Sequence, residues 1–112
     1  MDDQTTITEL RSAVQKFVDD RNWTKYHTPK NLSMSIAIEA AEILEHFQWR
    51  TAEESTNLLE DAEANAEIID ELADVLIYCL SFANQADIDI SRAVRAKLDR
   101  NEDRFPVGYM PT

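Results

Sequence analysis

One glycine and three prolines serve all 112 residues, and this shortage of turn-formers constrains the fold more than any other feature of the chain. A barrel or sandwich of many short strands needs a tight turn after each of them, and this chain cannot supply the turns. The lone glycine, Gly108, also excludes a glycine-rich phosphate-cradling loop, so any handling of phosphate falls to side chains or metal ions. No strand-like alternation persists, whereas apolar residues recur at helical spacing.

Four main helices follow from that spacing. The first runs from Ile7 to Asp20, opened by a capping box of Thr6 and Glu9, with Leu10, Val14, Phe17 and Val18 as its apolar face. After a loop over Arg21 to Lys30, Thr28-Pro29 gives a strong start to a second helix reaching Trp49, with Leu32, Ile36, Ala40, Ile43, Leu44 and Phe47 near its buried side. Thr51 and Glu54 form another capping box and predict a short helix. The third long helix, Ala62 to Gln85, is the most apolar, through Ile68, Ile69, Leu72, Val75, Leu76, Cys79 and Leu80. Asp89 or Ser91 caps a fourth, whose face is Ile90, Val94 and Leu98. The expected architecture is all-α: a four-helix bundle with long second and third helices, one domain over residues 1–112. Its core covers about residues 7 to 106, and a tail follows over 107–112. A chain this short folds with a modest core, and self-association would help it.

The longest apolar run, Val75 to Leu80, is far too short to span a bilayer, and the start Met-Asp-Asp-Gln lacks the marks of a secretory signal. One cysteine, Cys79, makes neither an internal disulfide nor a four-cysteine zinc site, so the expected compartment is the cytoplasm. The formal net charge is −11, and between Asn31 and Ser91 fourteen acids face a single base, Arg50. That balance disfavours nucleic-acid binding and makes divalent cations the natural partners.

The acids are also patterned. Glu39 and Glu42 lie three apart on the second helix, and Glu71 and Asp74 repeat the interval on the third, each pair bordering an apolar face. Two like charges ~4 Å apart cost about 4 kcal/mol at an effective dielectric near 20, so facing carboxylates demand a proton or a cation. Four hard oxygen ligands suit magnesium or manganese better than zinc. A di-iron bundle would need Glu-x-x-His on two helices, whereas His27 lies in a loop and His46 follows Glu42 by four residues. Solvated acids on a non-catalytic helical partner-binding protein are the plain alternative.

The order Glu39-x-x-Glu42 then Glu71-x-x-Asp74 resembles the MazG-like all-α nucleoside triphosphate pyrophosphohydrolases, closest to their small dCTP-hydrolysing type. Phe17-Val-Asp-Asp-Arg-Asn-Trp23, His27-Thr-Pro-Lys-Asn31, Glu45-His-Phe-Gln-Trp49, Asp74-Val-Leu-Ile-Tyr78 and Lys97-x-x-x-Asn101-x-x-Arg104-Phe-Pro106 carry the likeness over residues 7 to 106. The resemblance implies magnesium-dependent hydrolysis of a (deoxy)nucleoside triphosphate, dCTP-like or a modified pyrimidine, to the monophosphate and pyrophosphate. dUTP or phosphoribosyl-ATP hydrolysis is the same-fold alternative.

It further implies metal ligation by Glu39, Glu42, Glu71 and Asp74, with Glu39 or Glu42 orienting the attacking water. Trp23, His27, Trp49 and Tyr78 would belong to the nucleotide pocket, Lys97, Asn101 and Arg104 would meet phosphate oxygens or the bundle, and the assembly would be a homodimer or homotetramer. Two positions depart from the pattern. Val14 stands where some dCTP-preferring members have histidine, and Ile38 where other relatives have an extra glutamate.

Overall fold

The computed structural model describes residues 1–111; Thr112, the last residue of the expected tail, lies outside the described residues. Five helices and one 3₁₀ turn make up the fold: α1 (Ile7–Asp20), the turn Thr24–Tyr26, α2 (Pro29–Glu45), α3 (Ala52–Leu58), α4 (Ala62–Ala86) and α5 (Ile90–Arg104). No strand occurs among the described residues, as the turn-former shortage requires.

Every helix begins on a side-chain cap, which satisfies an otherwise orphaned backbone donor. Thr6, Thr28, Thr51, Asp61 and Asp89 each accept from the N–H three residues on. The box at Thr51 is complete, with Glu54 Oε1 accepting from the Thr51 N–H at 2.8 Å. At α1 only the Thr6 half of the expected box forms. Asp87 ends α4 in the left-handed region (φ 53°, ψ 49°), a conformation that aspartate tolerates better than most residues.

The second helix is shorter than its apolar pattern predicts, ending at Glu45 instead of Trp49. Beyond it the N–H groups of His46, Phe47 and Arg50 reach back only three residues, to the carbonyls of Ile43, Leu44 and Phe47. Phe47 thus keeps the apolar period while the backbone breaks into a mixture of three-residue bonds and one four-residue bond, Gln48 N–H to the Leu44 carbonyl at 2.8 Å.

α2 and α1 supply the main packing against α4, the central helix. The buried residues are Val18 of α1, Leu32 of α2, and Leu80, Ser81 and Ala83 near the end of α4. Arg11 pins that end: its guanidinium donates to the Asn84 side chain and to the carbonyls of Ala83 and Ile88, while Asn84 Nδ2 donates to the Arg11 carbonyl at 3.0 Å. A cation on the last carbonyls of a helix also complements the helix dipole.

The other expected core positions are less covered. Leu44, Ile69, Leu72, Leu76, Val94 and Leu98 are about half exposed, because within one chain α4 is flanked on only part of its circumference and α5 has no extensive partner. Leu10 and Phe17 are likewise exposed on α1. The accessible surface is 8912 Å², against about 6,300 Å² expected for a compact monomer of this mass. The radius of gyration, 16.9 Å, exceeds the roughly 13 Å of a compact chain of this length.

Candidate active site

Glu39 and Glu42 project from the middle of α2, and Glu71 and Asp74 from the middle of the α4 helix that it packs along. Glu39 feels the other three. Its Oε2 is shielded from solvent and has no hydrogen-bond partner among the described residues. Burial pushes the Glu39 carboxyl above the ordinary glutamate value, and hydrogen bonding with Glu42 and the charges of Glu42, Asp74 and Glu71 push it further. A buried acceptor left without a donor is costly, and no group among the described residues offsets that cost here. Glu71 has an outside partner: its Oε2 lies 2.6 Å from Nε2 of His46, just beyond the end of α2.

Beside these acids lies a cavity of about 370 Å³, lined by Ala13, Val14, Phe17 and Val18 of α1, by Trp23 and His27 of the loop, and by Asp74, Ile77 and Tyr78 of α4. Asp74 thus belongs to both the acidic cluster and the cavity wall. The Trp23 ring meets Phe17 edge-on, with centroids 5.8 Å apart. The His27 ring lies 6.3 Å from that of Tyr78, and its Nδ1 is 2.9 Å from Oγ of Ser81. Ser81 is only 2% exposed, so its hydroxyl is committed to this imidazole and fixes how the ring is presented. An aromatic, mostly apolar slot with the Asp74 carboxylate in its wall suits a flat ring that carries a polar tail.

Three of the four expected nucleotide-pocket residues, Trp23, His27 and Tyr78, come together here. Trp49 does not join them, nor do Lys97, Asn101 and Arg104, expected to meet phosphate oxygens or the bundle. Trp49 is 89% exposed and lines a separate cavity of about 550 Å³ with Glu45, His46, Arg50, Glu54 and Glu67. Lys97, Asn101 and Arg104 lie on α5 and line neither cavity, and the Arg104 guanidinium rests over the Phe105 ring.

Sequence reasoning missed Ser81 and undervalued His46. Ser81 had one signal, a hydroxyl directly after the most apolar run of the chain; His46 read as a poorly spaced iron ligand and as part of the Glu45–Trp49 segment, with no role of its own.

A family model described as the MazG-like family matches residues 34–109. The chain is 34% identical over 104 residues to dCTP pyrophosphatase 1 of Rattus norvegicus, covering 93% of this chain and 61% of that protein. It is 33% identical over 103 residues to dCTP pyrophosphatase 1 of Homo sapiens, covering 92% of this chain and 61% of that one. It therefore spans about three fifths of the length of these relatives. The crystal structure of a pyrophosphatase from Archaeoglobus fulgidus superposes with a TM-score of 0.82 at 46% identity, covering 88% of this chain and 91% of that one.

Proposed function

The chain belongs to the MazG-like family, and from that membership we propose that it is a nucleotide pyrophosphohydrolase converting a (deoxy)nucleoside triphosphate to the monophosphate and pyrophosphate. The substrate is dCTP-like or a modified pyrimidine triphosphate, and the cofactor is magnesium, with manganese as a substitute. One observation carries the reading: the shielded Oε2 of Glu39, without a partner among the described residues and under the charge of Glu42, Glu71 and Asp74, the last of which also lines the aromatic cavity. The names of the mammalian and archaeal relatives support the reaction class.

Glu39, Glu42, Glu71 and Asp74 would hold the cation. Their all-oxygen donor set fits magnesium, and an orphaned buried oxygen among them needs positive charge. Among the described residues no three such groups close into a ready-made cage. Magnesium is commonly held by one or two carboxylates, with phosphate oxygens and waters completing its shell. The ion supplies charge that neutralises the triphosphate and polarises its phosphorus.

The chain's own groups do the rest. Trp23 and Tyr78 offer ring faces to the base, and Ser81 holds His27 so that its Nε2 is available at the cavity wall. Val14 adds only methyl groups there, so shape rather than a polar atom of α1 selects the base on that side. Glu39 or Glu42 orients the attacking water and takes its proton, a role worth about 10²–10⁴-fold in rate.

Self-association into a homodimer or homotetramer completes the reading. The excess surface and half-exposed Val94 and Leu98 support it, and Trp49, Lys97, Asn101 and Arg104 would then meet nucleotide bound across the interface. No helix among the described residues is long and apolar enough to cross a membrane. A single cysteine suits the cytosol, where this reading places the reaction.

The test is product analysis after incubation with each common dNTP and NTP plus magnesium, with Glu42→Gln in parallel. Monophosphate and pyrophosphate from the wild type, reduced at least 100-fold in the variant, are expected. Loss of activity on every triphosphate, together with no magnesium-dependent rise in melting temperature, would leave the non-catalytic binding protein as the better account.

A further inference from the structure

The contact between His46 and Glu71 has no part in the reaction as described. His46 follows the last residue of α2, and its N–H is held by the carbonyls of Ile43 and Leu44. Its ring is tilted against Phe47, with centroids 6.2 Å apart. Nε2 then reaches across to α4, 2.6 Å from Glu71 Oε2, and the two side chains are only 17% and 22% exposed. An ionised carboxylate can only accept, so Nε2 carries the hydrogen and donates.

We propose that His46 is a positioning residue for the cation site: it occupies Oε2 of Glu71, fixes that carboxylate's rotamer and leaves Oε1 for the metal. This rests on the reading of Glu71 as a metal ligand. Among the four acids Glu71 alone receives a hydrogen bond from outside the group, whereas Glu39 Oε2 has no partner among the described residues. Free glutamates must be ordered when the ion binds, and an imidazole already holding one of them removes part of that entropy cost. Partners that orient a ligating carboxylate typically matter 10–100-fold in metal affinity. The contrasting account is a structural tie between the end of α2 and the middle of α4. The two differ in what they protect, metal affinity or the melting temperature of the metal-free protein.

The experiment measures Mn²⁺ affinity of the full chain by the electron paramagnetic resonance of free Mn²⁺, with metal-free melting curves alongside. His46→Gln places an amide Nε2 near the imidazole nitrogen, whereas His46→Asn carries the same group on a shorter stem that cannot reach. Both are polar and similar in size, so misfolding of one alone would be unexpected. The expected result is a 10–100-fold weaker Mn²⁺ affinity in His46→Asn, near-wild-type affinity in His46→Gln, and closely similar metal-free melting temperatures. Equal affinities in both variants and the wild type would overturn the positioning role, as would a fall in metal-free stability with affinity unchanged. Glu42→Gln separates this from failure of the underlying reading. If the wild type and Glu42→Gln bind Mn²⁺ equally poorly, the carboxylate metal site itself falls, and the role of His46 falls with it.

Discussion

The two halves of α4 are built on opposite terms. Its C-terminal end, from Leu80 to Ala83, is buried against α1 and the start of α2, and its polar groups are paired: Ser81 with His27, Asn84 with Arg11. Its middle, from Glu71 to Asp74, faces acids on α2, and beside it Leu72 and Leu76 stay half exposed. One end is packed and electrostatically satisfied; the other concentrates like charge and leaves an oxygen without a partner. Such crowding costs stability, and a fold tolerates it where another region supplies the packing. On the proposed reading, stability and chemistry therefore sit on one helix, separated by about two turns.

The sharpest way to break this division is Leu32→Ala. Leu32 is 1% exposed and belongs to the packed end, so its truncation should cost about 2–5 kcal/mol in chemical denaturation. That is a large share of the total stability of a small domain, while Mn²⁺ affinity of the folded protein should stay at the wild-type value. A small stability loss with a large affinity loss would mean that the two halves are not separable.

Ser81→Ala tests the one polar link that runs from the packed end into the cavity. The helix keeps its backbone bonds, but His27 loses the hydroxyl that presents it. A rise in KM of about tenfold for the best triphosphate, with kcat nearly unchanged, is expected if His27 helps hold the base in ground and transition states alike. A pure stability loss with unchanged KM would confine Ser81 to the core.

The same division explains what could be read beforehand. Caps at Thr28-Pro29, Thr51 and Asp89 act over three residues, so the starts of α2, α3 and α5 were legible from neighbours alone. The acidic pairs were legible for the same reason. The end of α2 was not, because Phe47 continues the apolar rhythm after the backbone has left α geometry. Ser81 with His27 and His46 with Glu71 join positions 54 and 25 residues apart, and no local pattern announces such a pair. Trp49 and the three α5 residues were matched by motif, and a motif match carries no information on which cavity a side chain lines.

The smallest expected effect is also the most direct probe of the acidic half. The Glu39 carboxyl is pushed above its ordinary value, first by burial and then by Glu42, Asp74 and Glu71, so in the window just above the ordinary value the folded protein keeps more of this proton than the unfolded chain does. That stabilisation is fully present below the ordinary carboxylate range and is lost as pH rises through the folded value. The metal-free wild type should therefore melt lower at a pH well above the ordinary carboxylate range than at one below it, by more than Glu39→Gln does. All other acids are common to both proteins, so the difference between the two curves isolates Glu39. Glu39→Gln should melt a few degrees higher at the upper pH and nearly the same as wild type at the lower. Magnesium should close that gap by raising only the wild type appreciably. If the two proteins follow parallel pH curves, the middle of α4 carries no stored repulsion, and the contrast between its halves reduces to one of packing alone.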